Sequence, residues 1–412
     1  MRQISKYVLL LTAFSMANVY ATSGNFSYGY DIIGQGMGGA GSAYPQSPLV
    51  SAVNPAGLVY LDSQQLDVGV DVLSPIRSYN ATEGNGGFPV LPGYVGSGTN
   101  AYIIPSFGYS RPVANNKGAL GVSVYANGLG TDYNQSVYGG GETGLLLMQI
   151  FTNFSGAWKI TDNFSAGAGL IVVNQLLNVK GLDNFKPFSV SPDNLTNNGT
   201  DSSLGAGVNF GLMYHVLPTV SMALSYQPEI SMSKFDDYSG LLPDNGSLNV
   251  PATGTLGLAW NISPKVVSTF DWQRIWFGSV PGYGNSNTCV NTSPCLGTSD
   301  GAGFGWTNTN VYKLGLQWMY NPDWTYRFGY AYSTQPVNPD DVLFGILAPA
   351  VTQNHLTAGF THKLTKTLAL NGSFMVSPTS SVSGLNPFSP GQSIELSMHQ
   401  YEVGLGITWK PL

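Results

Sequence analysis

At 412 residues the chain is long for one soluble domain, and only 9% of it is charged, against roughly 25% in soluble globular proteins. A mean hydropathy of +0.03 is too mild for a bundle of membrane helices, and 16 basic against 22 acidic residues leave no cationic stripe for nucleic acid. Its 52 glycines and 12% aromatics fit a wall whose residues alternate between lipid and a lumen.

In chain order, residues 1–21 read as a secretory signal peptide. Arg2 and Lys6 supply the charged start, residues 7–16 the apolar core, and Val19-Tyr20-Ala21 a cleavage site. That core is too short for the ~20 residues a spanning helix needs, and no later run is long and apolar enough. Losing Arg2 and Lys6 takes the net charge from −6 to −8. The protein is thus expected to be exported without a helical anchor.

Residues 22–62 do not read as membrane strand. Gly34, Gly36, Gly38, Gly39 and Gly41 are followed by Pro45, Pro48 and Asn54-Pro55-Ala56-Gly57. Gly34–Gly39 matches G-x-G-x-x-G, yet the preceding Tyr28–Ile33 is a poor buried strand, so the match reflects glycine abundance. A compact segment fits better as a plug, because fourteen strands enclose more volume than their own side chains fill.

From residue 63 to 412 the chain reads as a barrel. Fourteen strands are predicted, at 64–79, 101–111, 118–128, 149–160, 164–180, 201–216, 220–233, 247–261, 266–277, 309–321, 324–334, 351–364, 367–378 and 395–409. Tight turns at 161–163, 217–219, 263–265, 321–323 and 364–366 alternate with long Gly/Asn/Ser-rich stretches such as 80–100, 181–200, 278–307 and 335–350. Short periplasmic turns and long extracellular loops are the rhythm of an outer-membrane barrel. Six turns and seven loops place both termini in the periplasm.

The period-2 pattern assigns faces. Trp324, Tyr326, Phe328, Tyr330 and Tyr332 share the lipid side, which leaves Arg327 in the lumen. Tyr312, Leu314, Leu316, Trp318 and Tyr320 face out, which leaves Lys313 inside. Tyr401, Val403, Leu405, Ile407 and Trp409 alternate with Glu402, Gly404, Gly406 and Thr408. Arg274 shares parity with the outward Phe270, Trp272 and Trp276. It is placed at headgroup level, or else a bulge switches the face.

Two motifs carry a family likeness. The Gly-rich GMGGAG followed by SAVNPAGL (51–58) resembles the plug, or hatch, of the long-chain fatty acid and hydrocarbon outer-membrane transporter family, the FadL/TodX type. The segment YRFGYAYSTQPV…LAPAVTQNHLTAGF (326–360) resembles that family's late barrel region. The resemblance implies an all-β, transmembrane, antiparallel up-and-down β-barrel of 14 strands with an N-terminal plug in the lumen. It also implies passive capture of hydrophobic molecules and release through a lateral opening. The chain departs from the family at its end, where Trp409-Lys410-Pro411-Leu412 lacks a terminal aromatic and Trp409 would stand in as assembly signal. No kinked strand is identifiable, and neither are the basic residues that meet a carboxylate in some members.

Candidate site residues follow from position. Leu145, Leu146, Leu147, Met148 and Phe151 form an apolar run beside a loop expected at 129–148, where such residues are unusual unless they meet a ligand or begin a strand. Leu343 and Phe344, in another long loop, would oppose them. Lys313 and Arg327 point inward on adjacent strands. They would meet a carboxylate head group, or pair with a plug or wall carboxylate such as Asp271 or Glu402. Asn54, Pro55, Ala56 and Gly57 mark the hatch motif. Cys289 and Cys295, six apart in one long loop, would close a disulfide in an oxidising compartment.

Catalysis is not expected. His215, His355, His362 and His399 are scattered, only His355 faces inward, and no G-x-S-x-G or His/Cys metal spacing occurs. No cofactor or metal is called for. The expected function is passive uptake of fatty acids or hydrocarbons by a monomer in the Gram-negative outer membrane, in contact with lipid and lipopolysaccharide. A general porin and a surface adhesin or receptor barrel are the alternatives.

Overall fold

The computed structural model describes residues 23–291 and 294–411. The expected signal peptide, 1–21, lies outside the described residues. Among the described residues fifteen strands make one antiparallel sheet in which, β2 apart, chain neighbours are spatial neighbours. They are β1 (Gln65–Ala81), β2 (Gly93–Gly96), β3 (Tyr102–Val113), β4 (Gly118–Asp132), β5 (Gly144–Lys159), β6 (Phe164–Lys180), β7 (Asp201–Leu217), β8 (Val220–Gln227), β9 (Thr253–Ser263), β10 (Val266–Ile275), β11 (Thr309–Met319), β12 (Trp324–Ser333), β13 (Asn354–Lys363), β14 (Leu368–Leu385) and β15 (Ser393–Trp409). β15 also pairs with β1, from Leu66↔Trp409 to Ala81↔Ile394, so the sheet closes. β2 only hairpins onto the far end of β1, and the other fourteen strands form the wall.

Short connections (114–117, 160–163, 218–219, 264–265, 320–323, 364–367) alternate with longer ones throughout. Inner and outer faces follow the predicted parity. Leu314, Leu316, Trp318, Phe328, Val403 and Leu405 are exposed on the outside, while Lys313, Gln317, Arg327 and Glu402 are buried within. Aromatic rings gather outside at the 320–323 turn, where Trp324 stacks on His362 at 4.1 Å and Trp318 lies 5.2 Å from Tyr320. Such girdles sit at the membrane interface. Arg274 stays on the outer face at the loop end of β10, donating to Asn310 Oδ1 (3.2 Å) beside the Trp276 ring. Among the described residues no helix is long and apolar enough to cross a membrane.

Several strand limits differ from the sequence expectation. β5 starts at Gly144, so the loop expected at 129–148 shrinks to 133–143. The run from Leu145 to Phe151 is ladder, paired with Thr131–Tyr125 on one side and Val179–Val173 on the other. The strand expected at 220–233 stops at Gln227 because Pro228 has no N–H to donate, and the one expected at 247–261 begins only after Pro251. Pro378, expected to end a strand, is absorbed by a register shift between Ser377 and Ser380, and β14 continues to Leu385.

Residues 23–64 run along the inner wall. Asp31 caps a one-turn helix, Ile32–Gln35, by accepting from Gly34 N. Ser47 and Asn54 cap two 3-10 turns, Pro48–Ala52 and Pro55–Tyr60, each with proline at its first position.

Candidate functional site

The extracellular ends of β4–β6 and three long loops enclose an apolar cavity. Leu129, Leu145, Leu147, Leu177 and Val179 form its wall side. Leu241, Leu242, Leu248, Phe304, Phe344 and Leu347 close it from the loops. Its free volume is only about 30 Å³, so a long ligand must displace side chains to enter. The roof is pinned by polar bonds at its rim: Tyr133 and Tyr138 hydroxyls donate to Ile346 O and Leu343 O, both at 2.7 Å, and Thr131 Oγ1 donates to Leu347 O. Cys289 and Cys295 form a disulfide within the loop that contributes Phe304.

The structure divides the apolar run of β5. Leu145 and Leu147 line the cavity together with Phe344. Leu146 lies on the opposite face of the strand and is half-buried. Met148 shares its parity but is buried. Phe151 sits deeper, stacked on Tyr125 at 5.0 Å, and Tyr125 in turn touches Tyr30 of the N-terminal segment. Leu343 is buried behind the roof and outside the cavity lining.

Below this cavity the wall is interrupted. β3 and β4 pair only from Phe107↔Val124 to Val113↔Gly118. Above that level β3 runs on to Tyr102 with β1 as partner, and β4 runs on to Asp132 with β5 as partner. Pro105, which has no N–H, sits where the β3–β4 ladder fails. From Tyr125 to Thr131, β4 is buried on both faces, which marks a strand turned into the lumen. The edge it vacates is taken from inside, by Gly128 N donating to Asn25 O (3.0 Å) and Ser27 N donating to Asn127 Oδ1 (3.1 Å). Asn25 is itself held by Gln149 and Tyr283.

The N-terminal segment is fastened around the lumen. Asp271 accepts from Gly41 N, Ser42 N and Ser42 Oγ at 2.9–3.0 Å. Asn153 and Asn209 side chains both donate to Ser51 O (2.9 and 2.8 Å). Gln35 bridges Glu402 and Ser373. Asn54 donates to Ser42 O (3.0 Å) and Leu212 O (3.3 Å) while its Oδ1 accepts from Ala56 N. Pro55 and Ala56 lie so close to Gly167 that a Cβ there would come 2.6 Å from Ala56 N. Gly57 packs under Val50 and Pro45. Inward glycines recur on other strands at the same contact: Gly69 and Gly406 against Ile32, Gly315 against Met37, Gly359 against Gly36.

Lys313 and Arg327 are already occupied. Lys313 Nζ donates to Tyr28 O (2.9 Å). Arg327 donates to Gln317, Thr361 and Gln46 at 2.7–3.1 Å. The two carboxylates weighed as their partners, Asp271 and Glu402, both hold the N-terminal segment, and Asp271 is also the direct cross-strand neighbour of Lys313. Asp31 lines a cavity within that segment. Burial pushes its carboxyl up, against the pull of the Gly34 N–H and the Arg327 charge. His355 is buried and stacks on Tyr28 at 5.9 Å. Of the polar groups that fasten the segment, Asp271 is foreseen only as a partner for Lys313 or Arg327, and Ser42, Ser51, Asn153 and Asn209 escape sequence reasoning. Inward glycine at mid-strand was the available signal, already visible at Gly315, Gly329 and Gly404.

A closed fourteen-stranded barrel with an occupied lumen and an apolar cavity under its loops defines a selective outer-membrane channel. The chain matches the family described as outer membrane protein transport protein (OMPP1/FadL/TodX) over residues 15–386, and it belongs to that family. Among its relatives are the long-chain fatty acid transport proteins of Escherichia coli strain K12, 25% identical over 358 residues, and of E. coli O157:H7, 26% identical over 355. Each alignment covers 76% of this chain and 75% of the relative. The crystal structure of the Pseudomonas putida toluene transporter TodX superposes with a TM-score of 0.68 at 18% identity, covering 95% of this chain and 99% of that one. A Pseudomonas aeruginosa FadL homologue gives 0.67 at 16% identity, covering 96% and 100%.

Proposed function

We propose that this protein takes up hydrophobic compounds, such as long-chain fatty acids or hydrocarbons, across the outer membrane by passive diffusion. The observation that carries the reading is the apolar cavity standing directly above the break between β3 and β4. A ligand captured by Leu145, Leu147 and Phe344 moves past Phe151 and Tyr125. It then leaves sideways between Tyr102–Ser106 and the inturned part of β4. Residues 23–62 act as the hatch: their N-terminal end holds the free edge of β4, and the rest blocks the straight route. The relatives' descriptions as fatty acid and toluene transporters support a hydrophobic cargo. Membership of a family of transport proteins supports a channel rather than an enzyme.

Ala126 lies on the inturned part of β4, whereas Leu120 faces lipid on the same strand below the break. Uptake of a labelled long-chain fatty acid by cells carrying Ala126→Trp should fall at least severalfold at equal surface expression. Leu120→Trp adds a similar ring outside the route and should leave uptake unchanged. Equal uptake by both variants would remove the lateral exit.

A further inference from the structure

The hatch fills the lumen unevenly. On its periplasmic side a sector between β11 and β15 remains open as a cavity of about 330 Å³, far larger than the apolar one above. Its roof is the hatch edge at Ile33, Pro45, Gln46 and Leu61. Its sides include Met319, Leu368 and Ala369, so part of the lining is apolar. The charged groups that line it are lopsided. Arg327, Lys363, Lys366 and Lys410 meet a single carboxylate, Asp62. In a chain with 22 acidic and 16 basic residues, two of the latter in the signal segment, this is a concentration of positive charge against the overall balance.

Parity places Lys363 and Lys410 on the lumen side, and Lys366 lines the cavity from the 364–367 turn. Lys363 continues the inward row Thr357, Gly359, Thr361, and Lys410 continues Gly404, Gly406, Thr408. Arg327 is spent on Gln317, Thr361 and Gln46, and so forms a fixed wall. The three lysines make no ion pair among the described residues, where the pairs are Lys180–Asp132, Lys186–Asp183 and Lys234–Asp244. Three free ammonium groups over an apolar floor match a ligand with one anionic head and an alkyl tail.

We propose that this vestibule binds amphiphilic carboxylates at the periplasmic mouth, the head on Lys363, Lys366 and Lys410 and the tail against Met319 and Ala369. The inference rests on hydrophobic uptake as the function and adds a second site that reads charge, which the upper cavity does not. The Gln46–Arg327 bond (3.1 Å) forms the partition between the vestibule and the hatch interior.

The test uses the purified full chain in outer-membrane lipid with two photoreactive probes that differ only in their heads, a decanoate and a decanol analogue. Labelled peptides are located by mass spectrometry. The decanoate probe should label the peptides carrying Met319 and Ala369 about tenfold more than the decanol probe, as a charge-assisted contact implies. Added salt should erode that preference because the lysines are exposed. Lys363→Gln/Lys366→Gln/Lys410→Gln should abolish vestibule labelling, and the matching triple Arg variant should keep it. Labelling of the Leu145–Phe151 peptide by both probes reports the upper cavity and the integrity of the fold. Equal vestibule labelling by the two probes, or unchanged labelling in the Gln variant, overturns the site. Loss of upper-cavity labelling with vestibule labelling intact would instead count against the capture reading alone.

Discussion

Leu146 and Leu147 are adjacent, equally apolar and opposite in role. The pleat sends Leu147 into the cavity and Leu146 to the other face of β5. Fully burying one leucine contributes about 1.5–3 kcal/mol, so removing its contact with a ligand should weaken binding by roughly tenfold or more. Leu147→Ser should therefore raise the dissociation constant of a fluorescent fatty acid by about that factor. Leu146→Ser should leave it near the wild-type value. Fluorescence titration of the two purified variants checks this, and equal weakening in both would show that the cavity lining is misassigned.

At the scale of elements, the N-terminal segment is shaped to its wall. Gly167 on β6 faces the backbone of Pro55 and Ala56, and an added methyl would sit 2.6 Å from Ala56 N with no flexible side chain to yield. Overpacking of this kind costs about 1–3 kcal/mol. Gly167→Ala should loosen the Pro55–Tyr60 turn while leaving the ladder of β6 intact. Hydrogen exchange should then quicken at 56–61 and stay slow at 166–172. Gly156→Ala, whose nearest neighbour would be 3.5 Å away, is the control that should change neither.

The same elements explain what could be read from the sequence. Strand number and face were legible because one face meets lipid, and a period of two is then enforced along Tyr312–Trp318 and Tyr401–Trp409. Limits were misplaced where proline decided them, since Pro228 and Pro251 end ladders whereas Pro378 is tolerated within a bulge. The inward turn of β4 was invisible because Tyr125–Thr131 keeps a strand-like sequence, and the lost partner lies on β3 at Pro105. Lys313 and Arg327 were placed in the lumen correctly by parity, but parity cannot tell that Tyr28 O and Gln46 would reach them. Those contacts join residues hundreds of positions apart, and no local pattern encodes them.

For the whole molecule, the decisive property is that the N-terminal segment is held at separated points on a closed wall. Asp271 on β10 fixes Gly41 and Ser42, and Asn153 on β5 fixes Ser51, with no atom shared between the two anchors. Losing a partner of a buried polar group costs about 1–3 kcal/mol, and well-separated losses add. Asn209 still holds Ser51 when Asn153 is gone, and Lys313 still holds Tyr28 when Asp271 is gone. Each single variant, Asp271→Ala or Asn153→Ala, should thus keep the low ion conductance expected of an occupied lumen. The double variant draws on both reserves at once, and its planar-bilayer traces should show frequent openings at a voltage where the single variants stay closed. Barrel integrity is checked in the same samples by resistance to unfolding in detergent, because the wall ladders do not pass through either side chain. A wild type that already conducts like an open pore would show that residues 23–62 do not block the lumen, and the lateral route would lose its reason to exist.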